Sequence, residues 1–275
     1  MKKVALNTIL AAAISVVAPA YGQDAGGDRL TVNFSDPSRT GLLKVNFMNA
    51  GISVKAHAGR DVIIESKSSN RRGRTRPSTT PDGLRRIDGN ANGLTVEEEN
   101  NVMSIMTRNF GDSGDLEIQV PVKTNLNLRT LNGGAIVVEG IEGEIEVTNT
   151  NGDVQLRNVA GSVVAHTTNG SLSASLREIT ANKPMSFTSM NANVDITLPP
   201  ATKANLKIRA DNGEAYSDFD IQLRPGAPPT VDDSRNRGGR YRIQTDKTIN
   251  GTINGGGPDF EVRTFNGNIY IRKAK

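Results

Sequence analysis

The chain has 275 residues, a formal charge of +4 and no cysteine. Without cysteine it has no disulfide framework, no thiol nucleophile, no thiolate metal ligand and no cysteine for lipid acylation. Aromatic residues are only 4% of the chain and tryptophan is absent, which disfavours a glycan site built on aromatic rings.

The first 22 residues have the pattern of a secretory signal peptide. Two lysines follow Met1, an apolar run covers 4–17, and small residues surround Ala20 and Gly22. The run is shorter than the ~20 residues that a membrane-spanning helix needs. We therefore expect an exported protein, in a periplasm, at the cell surface or secreted, with no transmembrane segment after the signal is removed.

Positive charge is concentrated in one polar segment, residues 66–93. Seven basic residues there face two aspartates, so the segment carries +5 and the rest of the exported chain about −3. A nucleic-acid binder would spread its basic residues over a folded face, so we expect no nucleic-acid partner. The segment is rich in Ser, Arg, Pro and Gly and has almost nothing to bury, which predicts a flexible loop.

This arginine-rich loop is the candidate anion-binding site. Guanidinium groups pair with phosphate and carboxylate groups in a bidentate geometry. An anionic glycan, lipopolysaccharide or an acidic protein of the envelope would suit it, and a soluble linker without a ligand is the alternative. The arginines are Arg71, Arg72, Arg74, Arg76, Arg85 and Arg86.

Alternating apolar residues predict strands before the main repeat begins. Residues 23–42 are interpreted as a flexible or first-strand segment, and from Leu43 the apolar positions alternate around Asn49 as in a first copy of the repeat. The runs 94–96 and 102–105 are expected to pair as a hairpin, and 116–120 forms a further strand that ends at a proline.

From Leu126 onward, an asparagine corner recurs inside a constant apolar frame. A repeat of roughly 20 residues with one apolar face is typical of a solenoid. The corners are Asn132, Asn151, Asn169, Asn191, Asn212 and Asn266. The apolar pairs six and four positions before them are Leu126/Leu128, Ile145/Val147, Val163/Ala165, Met185/Phe187, Leu206/Ile208 and Phe260/Val262. Four copies continue the frame three and five positions later, with Val154/Leu156, Leu172/Ala174, Val194/Ile196 and Ile269/Ile271.

Asparagine and glycine accept positive φ at low cost, so each corner is interpreted as a sharp turn between two strands. A meander or sandwich of hairpins is the alternative, but the constant frame favours stacked coils with an asparagine ladder. The sequence thus predicts an all-β, single-stranded β-solenoid of stacked ~20-residue coils over residues 43–273. Two polar insertions, 66–93 and 224–247, interrupt it.

The repeat resembles that of the bacterial DUF4097 "putative adhesin" family over roughly 43–273. The similar runs are L-E-I-Q-V-P, L-N-L-R-T-L-N-G-G, E-I-E-V-T-N-T-N-G-D-V-Q-L, S-V-V-A-H-T-T-N-G-S-L, M-S-F-T-S-M-N-A-N-V-D-I-T-L-P and F-E-V-R-T-F-N-G-N-I-Y-I. The sequence departs from the family pattern at Asn191-Ala192 and in the two insertions. The resemblance implies a β-solenoid of either hand and an envelope location, and it brings no catalytic residues.

Other chemistry-bearing residues are interpreted as surface groups. His57 and His166 are expected to point outward from different coils, which argues against a shared metal or a catalytic pair. The acidic candidates are Glu142, Glu144, Glu146, Asp112 and Asp115, with Arg157 and Arg177 on later coils; alternating surface charge on strands explains them. We therefore predict no catalytic residue, no metal and no cofactor.

The sequence as a whole predicts an exported, non-enzymatic scaffold or adhesion surface of the cell envelope. Two alternatives remain open. One is a polysaccharide-active enzyme on a β-helix, which would need a groove with several acidic side chains and a basic residue. The other is a partner of an envelope-stress regulatory system.

Overall fold

A computed structural model describes residues 29–67, 94–107, 115–132, 134–225, 230–233, 241–244 and 247–275. These residues form strands and turns, with no helix among them, so the predicted all-β class is confirmed. The strands are β1 (Arg29–Asn33), β2 (Gly41–Phe47), β3 (Ile52–His57), β4 (Asp61–Lys67), β5 (Leu94–Glu99), β6 (Val102–Thr107), β7 (Asp115–Pro121), β8 (Thr124–Thr130), β9 (Ile136–Glu139), β10 (Glu142–Asn149), β11 (Val154–Thr167), β12 (Leu172–Ile179), β13 (Met185–Ser189), β14 (Val194–Leu198), β15 (Ala204–Ala210), β16 (Ala215–Ser217), β17 (Ile221–Arg224), β18 (Thr230–Asp233), β19 (Tyr241–Gln244), β20 (Ile249–Ile253), β21 (Asp259–Thr264) and β22 (Ile269–Lys273).

Twenty strands form one curled sheet, and β18 pairs with β19 in a separate hairpin. We call the two strand segments on either side of one corner asparagine a rung, named by that asparagine. Segments that precede the corners pair in parallel and make the first face; Ile145, for example, lies between Leu126 and Val163. Segments that follow the corners make the second face, where Val154 lies between Ile136 and Leu172. The result is a β-solenoid-like fold.

The apolar frame fills the space between the two faces. Successive side chains of a strand point to opposite sides, so every second residue enters the core. All twelve frame residues before the corners and all eight after them are buried. Burying a side chain of this size contributes about 1.5–3 kcal/mol relative to leaving it in water, which makes this shared core the main stabilising feature.

The order of the rungs in space differs from their order in the sequence. Strand β21 pairs with β13 on one side and with β15 on the other, so the Asn266 rung lies between the Asn191 and Asn212 rungs. Strand β2 likewise lies between β6 and β8. The Asn49 rung is therefore the second layer of the parallel stack, and β6 and β7 form the first. The rings of Phe187 in the Asn191 rung and Phe260 in the inserted rung meet in the core, with centroids 6.5 Å apart.

Antiparallel strands cover most ends of the parallel stack. At one end, β5 pairs with β6 on the first face, and β4 and then β1 extend the second face beyond β7. At the other end, β20 and then β17 extend the first face beyond β15. The outermost strands β1, β5 and β17 have only five, six and four residues, and short edge strands limit pairing with other chains. The second face ends at β16, which has only three residues.

The corner glycines Gly152, Gly170 and Gly213 are required by close approach between rungs rather than by left-handed backbone. A Cβ on Gly170 would lie 2.1 Å from the carbonyl oxygen of Gly152 in the neighbouring rung. None of the six corner asparagines has positive φ, so the asparagines do not make their turns with left-handed backbone. Left-handed residues instead occur where the second face turns into the first, at Gly140 (φ 74°) and Asn158 (φ 52°).

Candidate functional site

The six corner asparagines form one row along the surface. From Asn151 onward, each Nδ2 donates a hydrogen bond to the Oδ1 of the corner asparagine in the preceding rung of the stack, and the row includes the inserted rung. The bonds run from Asn151 to Asn132 (2.6 Å), Asn169 to Asn151 (2.7 Å), Asn191 to Asn169 (2.7 Å), Asn266 to Asn191 (2.9 Å) and Asn212 to Asn266 (3.0 Å). With their amides bonded to one another, these side chains serve architecture.

A second, buried ladder runs beside the asparagine row. In five rungs the residue two positions before the corner donates to a backbone carbonyl of the preceding rung. The bonds are Thr130 to Ala50 (3.0 Å), Asn149 to Gly134 (3.2 Å), Thr167 to Gly152 (2.9 Å), Ser189 to Gly170 (2.9 Å) and Thr264 to Ala192 (2.8 Å). Sequence reasoning missed this ladder, although the signal is present as the first residue of T-L-N-G, N-T-N-G, T-T-N-G, S-M-N-A and T-F-N-G.

A surface groove of about 380 Å³ lies where the second face turns into the first. Its floor contains Gly143 and Gly161, and a Cβ on Gly161 would lie 2.0 Å from the carbonyl oxygen of Gly143. The floor therefore has no room for side chains there. Charged residues of both signs line the walls: Lys123, Glu142, Glu144, Glu178 and Lys183.

Two of the groove carboxylates are held in ion pairs. Arg177 pairs with Glu142, and Lys183 pairs with Glu144. The backbone N–H of Glu144 also donates to Asn125 Oδ1 at 2.8 Å. These contacts connect residues that are far apart in the sequence and hold the charged walls of the groove.

The other charged candidates lie outside the groove. Glu146 accepts hydrogen bonds from Asn127 (2.7 Å) and Arg129 (2.9 Å). Arg157 donates to Gln155 at 2.6 Å. Asp115 accepts from the backbone N–H of Gly51 at 3.0 Å. Asp112 and the six loop arginines (Arg71, Arg72, Arg74, Arg76, Arg85 and Arg86) lie outside the described residues.

The acidic side chains of the groove are spread along its walls. Glu142 and Glu144 are each paired with a basic side chain. Glu178 lies two strands from Glu142 with Ala160 between them, so their Cα atoms are about 10 Å apart at ~4.8 Å per strand. Within the described ranges, no cluster of three His, Asp or Glu side chains is placed to hold a metal ion.

The two histidines lie on different faces. On the second face, His57 Nδ1 accepts from the N–H of Gly59 at 3.1 Å, and its Nε2 is 2.7 Å from the carbonyl oxygen of Asp61. Both ring nitrogens of His57 thus have local backbone partners. His166 lies exposed on the first face. The structure therefore does not bring the two imidazoles together.

Two tyrosines that are distant in the sequence stack at the end of the second face. The rings of Tyr216 and Tyr270 are 5.4 Å apart and nearly parallel. Arg272 lies 5.1 Å from the centre of the Tyr270 ring and is held by Asp195 at 2.9 and 3.0 Å. The Tyr216 hydroxyl donates to Glu214, and this bond raises the pKa of Tyr216. The patch is small, and its polar groups are bonded to one another.

None of the described ranges contains a helix with the length and apolar character needed to cross a membrane. No curated protein matches the chain.

Two solved structures are similar in outline. A "putative cell adhesion protein" from Clostridium sporogenes aligns over 90% of this chain and 100% of its own, with 9% identity and a TM-score of 0.43. A "putative adhesin" from Bacteroides fragilis aligns over 91% of this chain and 98% of its own, with 10% identity and a TM-score of 0.28. Likeness at this level says nothing about function.

The family comparison is more decisive. The model of the family described as Toastrack DUF4097 matches residues 112–272, which is more than half of the 275 residues. This range contains all six corners of the asparagine row. The chain belongs to the DUF4097 Toastrack family.

Proposed function

We propose that the protein is an exported, non-enzymatic binding module of the bacterial cell envelope, acting as a scaffold or adhesion surface. One observation carries this proposal: the first face presents polar side chains in registered rows on a rigid parallel sheet. The row that we call the Arg–Thr row contains, in stacking order, Arg129, Thr148, His166, Thr188, Arg263 and Arg209.

The geometry of the row suits an extended polymer. Its side chains are half-buried or exposed, and they recur at the strand spacing of about 4.8 Å. Hydroxyl, imidazole and guanidinium groups supply donors along a line that crosses six neighbouring strands of the sheet. Repeated donors on a fixed backbone bind a repeating ligand without a deep cavity.

The proposal includes export, which is supported by the signal-peptide pattern of residues 1–22. It also includes the finer architecture of ~20-residue coils over 43–273, with insertions at 66–93 and 224–247. The arginines of the first insertion are proposed to bind an anionic envelope component, either a glycan, lipopolysaccharide or an acidic protein.

A pull-down from bacterial envelope extract tests the binding role. Immobilised residues 23–275 are compared with a variant that lacks residues 67–88 and with a blank matrix. We expect retention of an envelope component by the full exported chain, with weaker retention of lipopolysaccharide or acidic glycan by the deletion. Equal retention by the blank matrix contradicts the binding module, while equal retention by the two proteins contradicts only the role of the loop. Circular dichroism checks that both proteins keep the β fold.

A polysaccharide-active enzyme is the second candidate, because the groove holds three glutamates beside two lysines. Under our proposal, incubation with neutral and acidic polysaccharides releases no new reducing ends and no unsaturated sugar. Turnover that is lost in both Glu142→Gln and Glu144→Gln, and kept in Glu146→Gln outside the groove, would establish the enzyme instead.

A further inference from the structure

The surface groove is elongated and runs across neighbouring strand segments. One residue of each segment belongs to a single row across the sheet: Thr40, Lys123, Glu142, Ala160 and Glu178. Register partners in a parallel sheet point their side chains to the same side, so all five line one surface. Four steps at the strand spacing of ~4.8 Å make the row about 19 Å long. This shape suits an extended chain.

The middle of the groove is open because its residues are small. Ala160 separates the two glutamates of the row, and Gly143 and Gly161 lie beside it. The volume of about 380 Å³ falls in the usual range for sites that take a small ligand. The fold itself therefore keeps space for a ligand at this place.

Internal ion pairs use four of the six charges at the groove. Arg177 neutralises Glu142, and Lys183 neutralises Glu144. Within the ranges that the structure describes, neither Lys123 nor Glu178 has a hydrogen-bond or ion-pair partner for its side chain. One cation and one anion are thus left for a ligand.

These two free charges lie toward opposite ends of the row. Lys123 and Glu178 are separated by three strand steps, which places their Cα atoms about 14 Å apart at ~4.8 Å per step. At this separation they do not pair with each other. The described residues that flank the first insertion, Lys67 and Leu94, lie at the other end of the strands, beside the corners.

Polar groups line the groove between the two charges. Asn125, Ser162 and Thr180 lie two residues further along their strands than members of the row, so they face the same side. Asn125 accepts a bond through Oδ1 from the N–H of Glu144, and its Nδ2 stays available. Hydroxyl and amide groups both donate and accept hydrogen bonds, as the peptide group of a ligand requires.

We propose that the groove binds a short, extended peptide with free termini, its carboxylate at Lys123 and its ammonium group at Glu178. An extended chain spans at most 3.3–3.6 Å per residue, so about four residues cover the distance of about 14 Å. The side chains of Asn125, Ser162 and Thr180 bond the peptide groups between the ends. This site is separate from the Arg–Thr row and from the loop arginines, and it goes beyond the proposed envelope role.

Titrations followed by amide NMR spectra of residues 23–275 test the proposal, since they report both the affinity and the place of binding. The probes are tetraalanine with free termini, N-acetyl-tetraalanine, tetraalanine amide, dialanine and dextran. The variants are Lys123→Gln and Glu178→Gln. Their matched controls, Lys44→Gln and Glu97→Gln, change exposed residues outside the groove. The dispersion of the spectra checks that every variant is folded.

We expect free tetraalanine to shift the amide signals of Gly143 and Gly161. Blocking either terminus should weaken binding by about fivefold, the equivalent of one solvent-exposed ion pair, and dialanine should bind more weakly because it cannot reach both ends. Lys123→Gln and Glu178→Gln should each weaken the binding of free tetraalanine by the same factor, while the two controls stay within about twofold.

The orientation of the peptide makes the test sharper. Acetylation of the amine should cost nothing further in Glu178→Gln, and amidation of the carboxylate should cost nothing further in Lys123→Gln, because each pair is already broken. Full additivity of these losses overturns the assignment. The absence of shifts at Gly143 and Gly161 with free tetraalanine also overturns it, and shifts there with dextran alone would make the groove a sugar site instead.

Discussion

The hydroxyl of Thr167 donates a hydrogen bond of 2.9 Å to the carbonyl oxygen of Gly152 in the neighbouring rung. Thr167 is fully buried, so no water reaches the hydroxyl to compete for this hydrogen bond. The same kind of bond recurs in four other rungs. Each rung is therefore joined to its neighbour by an inward polar contact as well as by the backbone ladder.

Replacing Thr167 by valine should destabilise the fold at nearly constant volume. The change removes the donor and leaves the Gly152 carbonyl without it, which costs about 1–3 kcal/mol of unfolding free energy. The control is Thr168→Val at the adjacent, less buried position, where we expect a change within about 0.5 kcal/mol. Urea unfolding measures both. Equal losses would show that the buried ladder adds nothing.

Gly170→Ala should be poorly tolerated. The added Cβ would lie 2.1 Å from the carbonyl oxygen and 2.4 Å from the carbonyl carbon of Gly152, so backbone must move. Overpacking of this kind costs about 1–3 kcal/mol, or more if the rung cannot shift. In Gly134→Ala the nearest atom is 3.4 Å away, which is ordinary contact. A thermal midpoint for Gly170→Ala as high as that of Gly134→Ala would contradict the close-approach explanation.

A substitution in the middle of the asparagine row should destabilise the fold more than a substitution at its end. Asn169→Ala removes two side-chain bonds, whereas Asn212→Ala removes one. Each exposed bond contributes at most about 0.5–1.5 kcal/mol, so we expect roughly twice the loss of unfolding free energy for the middle position. Chemical denaturation of the two variants measures this ratio. Similar losses would mean that the row acts through the corner backbone alone.

Acid should weaken the contact between Glu98 and the loop after β1. The hydroxyl and N–H of Ser35 and the N–H of Asn101 donate to the Glu98 carboxylate, and the Ser35 hydroxyl is the main reason why the pKa of Glu98 lies below its ordinary value of 4.5. A lowered folded-state pKa means stability that is present above the ordinary pKa and lost as the pH falls through the lowered one.

The measurement is the unfolding free energy from about pH 6 down to about pH 3, over which the carboxylate takes up its proton. Glu98→Gln should flatten the acid limb of this curve. Glu97→Gln, at the neighbouring exposed position, should leave it as steep as in the unmodified protein. A curve that Glu98→Gln leaves unchanged would exclude this carboxylate as a source of the acid sensitivity.

Much of the core is predictable from the sequence because strand geometry needs only alternation. Leu126 and Leu128 in the first repeat and Phe260 and Val262 in the last are buried as their spacing predicts. Stacking order is not predictable in this way, since every copy has the same apolar frame. Nothing in the frame of the Asn266 copy indicates that it lies inside the stack.

The candidate sites were less predictable for the same reason. Glu142 and Glu144 lie two residues apart on one strand, and such residues are on the same face of the sheet. Their position on the same wall of the groove can therefore be predicted from the strand alone. Their partners Arg177 and Lys183 lie 35 and 39 residues further along, and only the register between strands places them there. The opposition of Arg209 and Arg263 depends on the inserted rung. The role of the loop arginines stays a prediction.

The inserted rung, residues 259–273, holds together the layers on its two sides. An ordinary repeat array can fray or be trimmed from its terminus one unit at a time, because the last unit has a single neighbour. Here residues 259–273 touch rungs on both sides. Loosening of this segment splits the Asn212 rung and its covering strands from the remaining layers. Residues 259–273 are thus held from both sides, and their removal would open the interior of the stack.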